Sequence, residues 1–252
     1  MGRLRVAVAM VAVIAMLTGC GAIVDQVVRK SPTSTSLLPA RQVLSQDAVA
    51  ALARPSVVKV HGRANSCQKL LEGTGFMVAP NKVLTNAHVV AGTDTVTVDA
   101  DGREFDAHVV SYDSSADVAI LDVPGLSARP VGFASSPAPA GTNAVVLGYP
   151  HGGPFVALPA RVDEVIDLKG PDIYRTTTVT RQAYLVNLGT AKDFEGVSGG
   201  PLIDMEGRVL GMFFGAQVDH PDTGFALAEA QLAPHLAMTG NTEPVPTGAC
   251  VN

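Results

Sequence analysis

The sequence is short of charge, of cysteine and of paired histidines, and each shortage removes a class of protein. Charged residues are 16% of the 252 and hydrophobic residues 47%. That balance excludes an intrinsically disordered chain and leaves ample apolar material for one domain of two lobes or two small domains. Basic residues thin out after the N-terminus: beyond residue 30 the chain carries 14 Lys and Arg against 22 Asp and Glu. No basic stripe remains to hold nucleic acid. The six histidines, His61, His88, His108, His151, His220 and His235, form no HxH, HxxxH or HExxH pair. A zinc site is therefore not expected, and no other cofactor is implied. Cysteine occurs only at Cys20, Cys67 and Cys250.

Long apolar runs are absent except at the start. Arg3 and Arg5 precede an uninterrupted apolar stretch from Val6 to Leu17, the pattern of a signal sequence. The "LTGC" that follows resembles the lipobox of bacterial lipoproteins, which implies lipidation of Cys20. An uncleaved anchor helix over Val6 to Val24 and plain secretion are the alternatives. All three place the body of the chain outside the cytoplasm, in the periplasm or cell envelope, and the first two tie it to a membrane. If Cys20 carries lipid, Cys67 and Cys250 remain as a pair in an oxidising compartment. They form either a disulfide, worth on the order of 5 kcal/mol in loop-entropy models, or two buried thiols.

The rest divides by texture. Residues 1–20 are the signal or anchor and 21–44 a Ser/Thr/Pro-rich linker. Ser45 caps a short helix that stops before Pro55. From there "SVVKVHG", "GTGFMVA", "KVLTNAHVV", "TVTVDA", "EFDAHVVSYD" and "VAILDV" are short, β-branched and partly alternating, an all-β signature. A Pro/Ala/Ser-rich connector, Pro124 to Thr142, precedes a second set of strands, with Gly207 at a hairpin turn in "DMEGR". A final helix is expected over Gln231 to Met238, with Pro234 in its first turn. Residues 45–130 then hold the N-terminal segment and first β lobe, and 131–252 the second lobe, helix and tail. Two β lobes of similar size suggest paired barrels.

Within that frame stands "DFEGVSGGPL", a serine crowded by glycines. Alone it reads as a tight turn. Its companions change the reading: "TNAHVV", "DVAIL" and "GVSGGPL" follow in the order His, Asp, Ser, with Asp117 29 residues after His88 and Ser198 81 after Asp117. These words resemble the motif words of trypsin-like serine proteases. "SCQKLLEGTGFMVAPNKVLTNAHVV", "VVSYDSSADVAILDV", "VVLGYPHGG", "GPDIY" and "PTGACVN" further resemble the protease domain of the MarP type, actinobacterial envelope serine proteases linked to acid resistance.

The resemblance implies two antiparallel six-stranded β-barrels with a short C-terminal helix, and a disulfide between Cys67 and Cys250. It implies a triad of Ser198 as nucleophile, His88 as base and Asp117 as its orienter, with the N–H groups of Gly196 and Ser198 as oxyanion hole. The substrate pocket falls among Lys192, Phe213, Phe214, Gly215, Ala216, Gly224 and Phe225. Lys192 sits either at the pocket base or on a solvated loop. A protein or peptide is the expected partner, with an endopeptidase as the leading reading and a protease-fold binding module as the alternative. Two departures matter. Val197 stands where many relatives have Asp or Asn, and Phe214 where a serine usually supports the catalytic Asp.

Overall fold

The structure is a computed structural model that describes residues 43–189, 194–217, 219–220 and 222–251. The apolar N-terminal run, Cys20 and Lys192 lie outside them. Among the described residues no helix is long and apolar enough to cross a membrane.

Helix α1 (Gln46–Ala53) starts where Ser45 caps it, the serine side chain accepting from the Ala48 N–H at 3.2 Å. Six strands follow: β1 (Val57–Ala64), β2 (Lys69–Ala79), β3 (Lys82–Thr85), β4 (Thr95–Ala100), β5 (Arg103–Asp113) and β6 (Val118–Asp122). They close into a barrel in the order β1-β2-β3-β6-β5-β4. The second set is β7 (Asn143–Gly148), β8 (Val156–Pro171), β9 (Thr178–Asn187), β10 (Pro201–Asp204), β11 (Val209–Ala216) and β12 (Thr223–Ala228). It closes in the equivalent order β7-β8-β9-β12-β11-β10, with every strand pair antiparallel. The fold is thus the expected pair of six-stranded barrels. Closure leaves neither sheet with a free edge.

Alternation explains the cores. In "TVTVDA" Val96 and Val98 are buried while Thr95 is exposed. Val58, Val60, Met77, Val83 and Leu121 fill the first barrel; Val146, Val162, Tyr184, Val186 and Phe213 fill the second. A third cluster joins the lobes, with Phe76, Leu84 and Ile120 of one packed against Leu147, Ile203 and Met212 of the other. That cluster holds the two barrels together.

The last helix departs from the sequence reading. α2 runs Glu229–Leu236, starting two residues early because the chain enters it straight from β12 with Ala228 as cap. Pro234 therefore lies inside the helix rather than in its first turn, where it withholds one i→i−4 hydrogen bond. The tail then returns to the first barrel. Val245 N–H donates to Val109 O (2.8 Å) and Gly92 N–H to Thr247 O (3.0 Å). Cys250 joins Cys67 in a disulfide with Cα atoms 6.5 Å apart.

Candidate active site

The first barrel supplies side chains. His88 follows β3 on a single turn of 3-10 helix, Ala87–Val89. Its backbone N–H donates to Asp117 Oδ1 at 3.0 Å, and its ring Nδ1 lies 2.8 Å from Oδ2 and 3.1 Å from Oδ1. An ionised carboxylate only accepts, so Nδ1 carries the proton and Nε2 keeps its lone pair. Asp117 is 3% exposed and sits in the β5–β6 turn with φ +61°, a left-handed conformation that Asp tolerates better than most residues. The turn is tied at both ends. Asp113 Oδ1 accepts from the N–H groups of Ser115 (2.8 Å) and Ala116 (2.9 Å), and Asn86 Nδ2 donates to Asp117 O (2.8 Å).

A residue that the sequence did not single out reaches the same turn. Arg181, on β9 of the second barrel, is 6% exposed. Its Nε donates to Ser115 O (2.8 Å) and its Nη1 to Pro171 O (3.1 Å). This charge and Asp117 act on His88 in opposite senses. Burial alone would lower the imidazole pKa; the Asp117 charge and hydrogen bond outweigh it, Arg181 opposes them, and the net result lies above the ordinary 6.5.

The second barrel supplies backbone. Val197 N–H donates to Phe194 O (2.9 Å), Gly200 N–H to Val197 O (2.9 Å) and Gly199 N–H to Phe213 O (2.8 Å). Gly196 and Gly199 hold φ of +84° and +86°, which explains glycine at both. The Glu195 carbonyl accepts from His151 N–H (2.9 Å) and the Gly196 carbonyl from Thr74 Oγ1 (2.7 Å). In a trans peptide C=O and N–H point opposite ways. Tying the carbonyls of Glu195 and Val197 therefore turns the N–H groups of Gly196 and Ser198 away from those ties. Among the described residues neither N–H has an acceptor. Val197 is fully buried in the second barrel's apolar core, so packing and backbone bonds hold this loop without a polar side chain at that position.

Ser198 is partly exposed and its hydroxyl donates to Phe214 O at 3.5 Å; no hydrogen bond joins it to His88. Phe214 sits at a bulge in β11, where the register with β12 shifts between Phe213 and Gly215. A phenylalanine side chain has no donor to offer Asp117, and among the described residues that carboxylate accepts from the His88 N–H and ring alone. Phe214 instead stacks on Phe225 with ring centroids 6.1 Å apart. These two rings, Gly215 and Ala216 stay at least partly exposed. Phe213 is fully buried against Phe194, 5.8 Å away, and Phe213 and Leu188 leave no room for a side chain at buried Gly224. Phe213 and Gly224 thus belong to the barrel core, since alternation along β11 turns Phe213 inward.

Comparison with known proteins agrees with this geometry. The trypsin-like peptidase domain model matches residues 73–212. The serine protease Rv3671c of Mycobacterium tuberculosis is 53% identical over 210 residues, covering 83% of this chain and 52% of that protein. The putative serine protease HhoA of Synechocystis is 30% identical over 188 residues, 69% of this chain and 45% of that one. The chain spans about half the length of the curated relatives it matches. The crystal structure of the Rv3671c protease in its active form superposes with a TM-score of 0.78 at 54% identity, over 81% of this chain and 89% of that one. Its inactive form gives 0.67 at 51% identity, over 77% and 93%. The chain is a member of the trypsin-like peptidase family.

Proposed function

We propose that this chain is a serine endopeptidase that cleaves peptide bonds through an acyl-enzyme, with Ser198 as nucleophile, His88 as general base and acid, and Asp117 as the carboxylate that orients and charges-balances the ring. The observation that carries the reading is the His88–Asp117 pair at 2.8 Å in the same chain as a serine loop with two N–H groups that no described residue accepts from. Ser198 Oγ attacks the substrate carbonyl as His88 Nε2 takes its proton. The negative oxygen that forms is received by the N–H groups of Gly196 and Ser198, and His88 returns the proton to the leaving amine. Water then repeats the sequence on the acyl-enzyme. The 3.5 Å bond from Ser198 to Phe214 O is long and weak, so turning the hydroxyl toward His88 costs little. The greater likeness to the active than to the inactive Rv3671c form supports the reading.

Export to the cell envelope, with anchoring through Cys20 lipid or an N-terminal helix, is part of the proposal. It is supported by the arginine-led apolar start and by the Cys67–Cys250 disulfide, a bond that persists in oxidising compartments. A role in acid stress rests on the MarP-type resemblance, and unchanged acid survival of a deletion strain would remove it.

One observation favours a second reading: the serine points to Phe214 O and not to His88, as a non-cutting binding module would allow. Incubation with an unfolded protein separates the two. The proposal expects new peptide termini with wild type and none with Ser198→Ala; intact substrate retained by both proteins would favour the module.

A further inference from the structure

Thr74 lies in β2 of the first barrel and is fully buried. Each of its polar groups is committed. Its N–H donates to Ser198 O (2.8 Å), and its carbonyl accepts from Thr85 Oγ1 (2.7 Å). Its hydroxyl donates to Gly196 O (2.7 Å) and accepts from Tyr149 N–H (3.0 Å). One threonine therefore grips the peptides on both sides of the Ser198 loop, and its hydroxyl links them to the segment leaving β7.

Two backbones converge on it closely. A Cβ at Gly199 would lie 2.0 Å from Thr74 O, and one at Gly148 would lie 2.9 Å from Thr74 Oγ1. That crowding leaves no place for a water to replace the hydroxyl. The Gly196–Val197 peptide follows a glycine with φ +84°, the residue type with the most freedom to turn over. Val197 offers no side-chain hydrogen bond to hold it. Among the described residues the hydroxyl of Thr74 is the one side-chain donor to the Gly196 carbonyl.

We propose that Thr74 is a positioning residue for the oxyanion hole: its hydroxyl, supplied by the first barrel, fixes the Gly196–Val197 peptide so that the N–H groups of Gly196 and Ser198 stay directed at one point. This deepens the peptidase reading and rests on it. It also makes the hole a joint product of both barrels, because the donors come from the second and the clamp from the first.

The test compares Thr74→Val, which keeps shape and removes the hydroxyl, with Thr74→Ser, which keeps the hydroxyl. Thr74→Val should lower kcat on the order of 10- to 100-fold, less than deleting an oxyanion donor outright. KM should stay within about two-fold, and affinity for a peptide boronate that forms a tetrahedral adduct should fall by the same factor as kcat/KM. Thr74→Ser should restore most of both. Wild-type kcat and boronate affinity in Thr74→Val would overturn the proposal, as would an equal loss in Thr74→Ser, which would signal packing alone. Should Thr74→Val fail to fold, Thr74→Cys, whose thiol is a weak donor, carries the same expectation. If wild type proves unreactive, the peptidase reading fails separately, and a crystal structure of Thr74→Val still decides. A turned-over Gly196–Val197 peptide supports the clamp, and an unchanged one removes it.

Discussion

The two barrels share one strand order yet contribute in different currencies. The first gives side chains, His88 and Asp117, held largely by ties within its own turns. The second gives a serine and two backbone N–H groups, and part of what holds them comes from the first barrel through Thr74. On the proposed assignment the acid–base half is thus locally specified, while the nucleophile half depends on how the barrels dock.

The sharpest way to break this comparison is to attack the local half. Asp117→Asn should lower kcat by ~10,000-fold, because the imidazole loses its orienting carboxylate and takes the wrong tautomer. The same pair has a stability signature. His88 titrates above its ordinary value in the folded chain, so its contribution is fully present below pH 6.5 and is lost as pH rises through the raised value. The difference in melting temperature between wild type and Asp117→Asn should therefore narrow with rising pH. A constant difference would contradict the pairing.

The docked half is broken most directly at Gly199. A Cβ there would meet the Thr74 carbonyl at 2.0 Å, a backbone atom that cannot step aside, at a φ of +86° that disfavours side chains. Gly199→Ala should lose more than about 2 kcal/mol of stability by denaturant titration, together with its activity. Reducing the Cys67–Cys250 bond should cost a comparable 2–5 kcal/mol or so. It should leave kcat of the still-folded protein nearly unchanged, since neither cysteine bonds to a residue of the site. A parallel loss of kcat would show that the tail shapes the cleft.

The smallest effect sharpens the comparison at an exception to it, the second-barrel arginine on the first-barrel turn. Arg181→Met removes the charge that holds the His88 pKa down and two donors to the Ser115 and Pro171 carbonyls. The acidic limb of kcat/KM, which reports the base in the free enzyme, should move to higher pH, with kcat down several-fold. An unmoved limb would assign Arg181 to structure alone.

The same division explains what the sequence revealed. β-branched alternation announced the strands, and "TNAHVV", "DVAIL" and "GVSGGPL" announced the candidate triad, because each is written in contiguous residues. Thr74 and Arg181 were not legible: each reads as an ordinary strand residue, and its partners lie far off in sequence, Thr74 and Gly196 being 122 residues apart. One signal was present at Thr74, which sits between Gly73 and Gly75. Glycines inside a strand mark close backbone approach, and a Cβ at Gly73 would come within 3.2 Å of Ser198 O. The start of α2 was misplaced because the strand before it, not the cap chemistry, sets where the helix begins. The burial of Phe213 was not legible either, because sequence alone does not tell which face of β11 turns inward.

The most direct test of the account is reaction with a fluorophosphonate probe, the adduct located by mass spectrometry, on wild type beside Ser198→Ala and His88→Ala. The account predicts a single adduct on Ser198 in wild type, forming faster as pH rises through the His88 pKa, and no labelling of either variant. A wild-type protein that stays unlabelled across that pH range, or whose label lies on another residue, would contradict it.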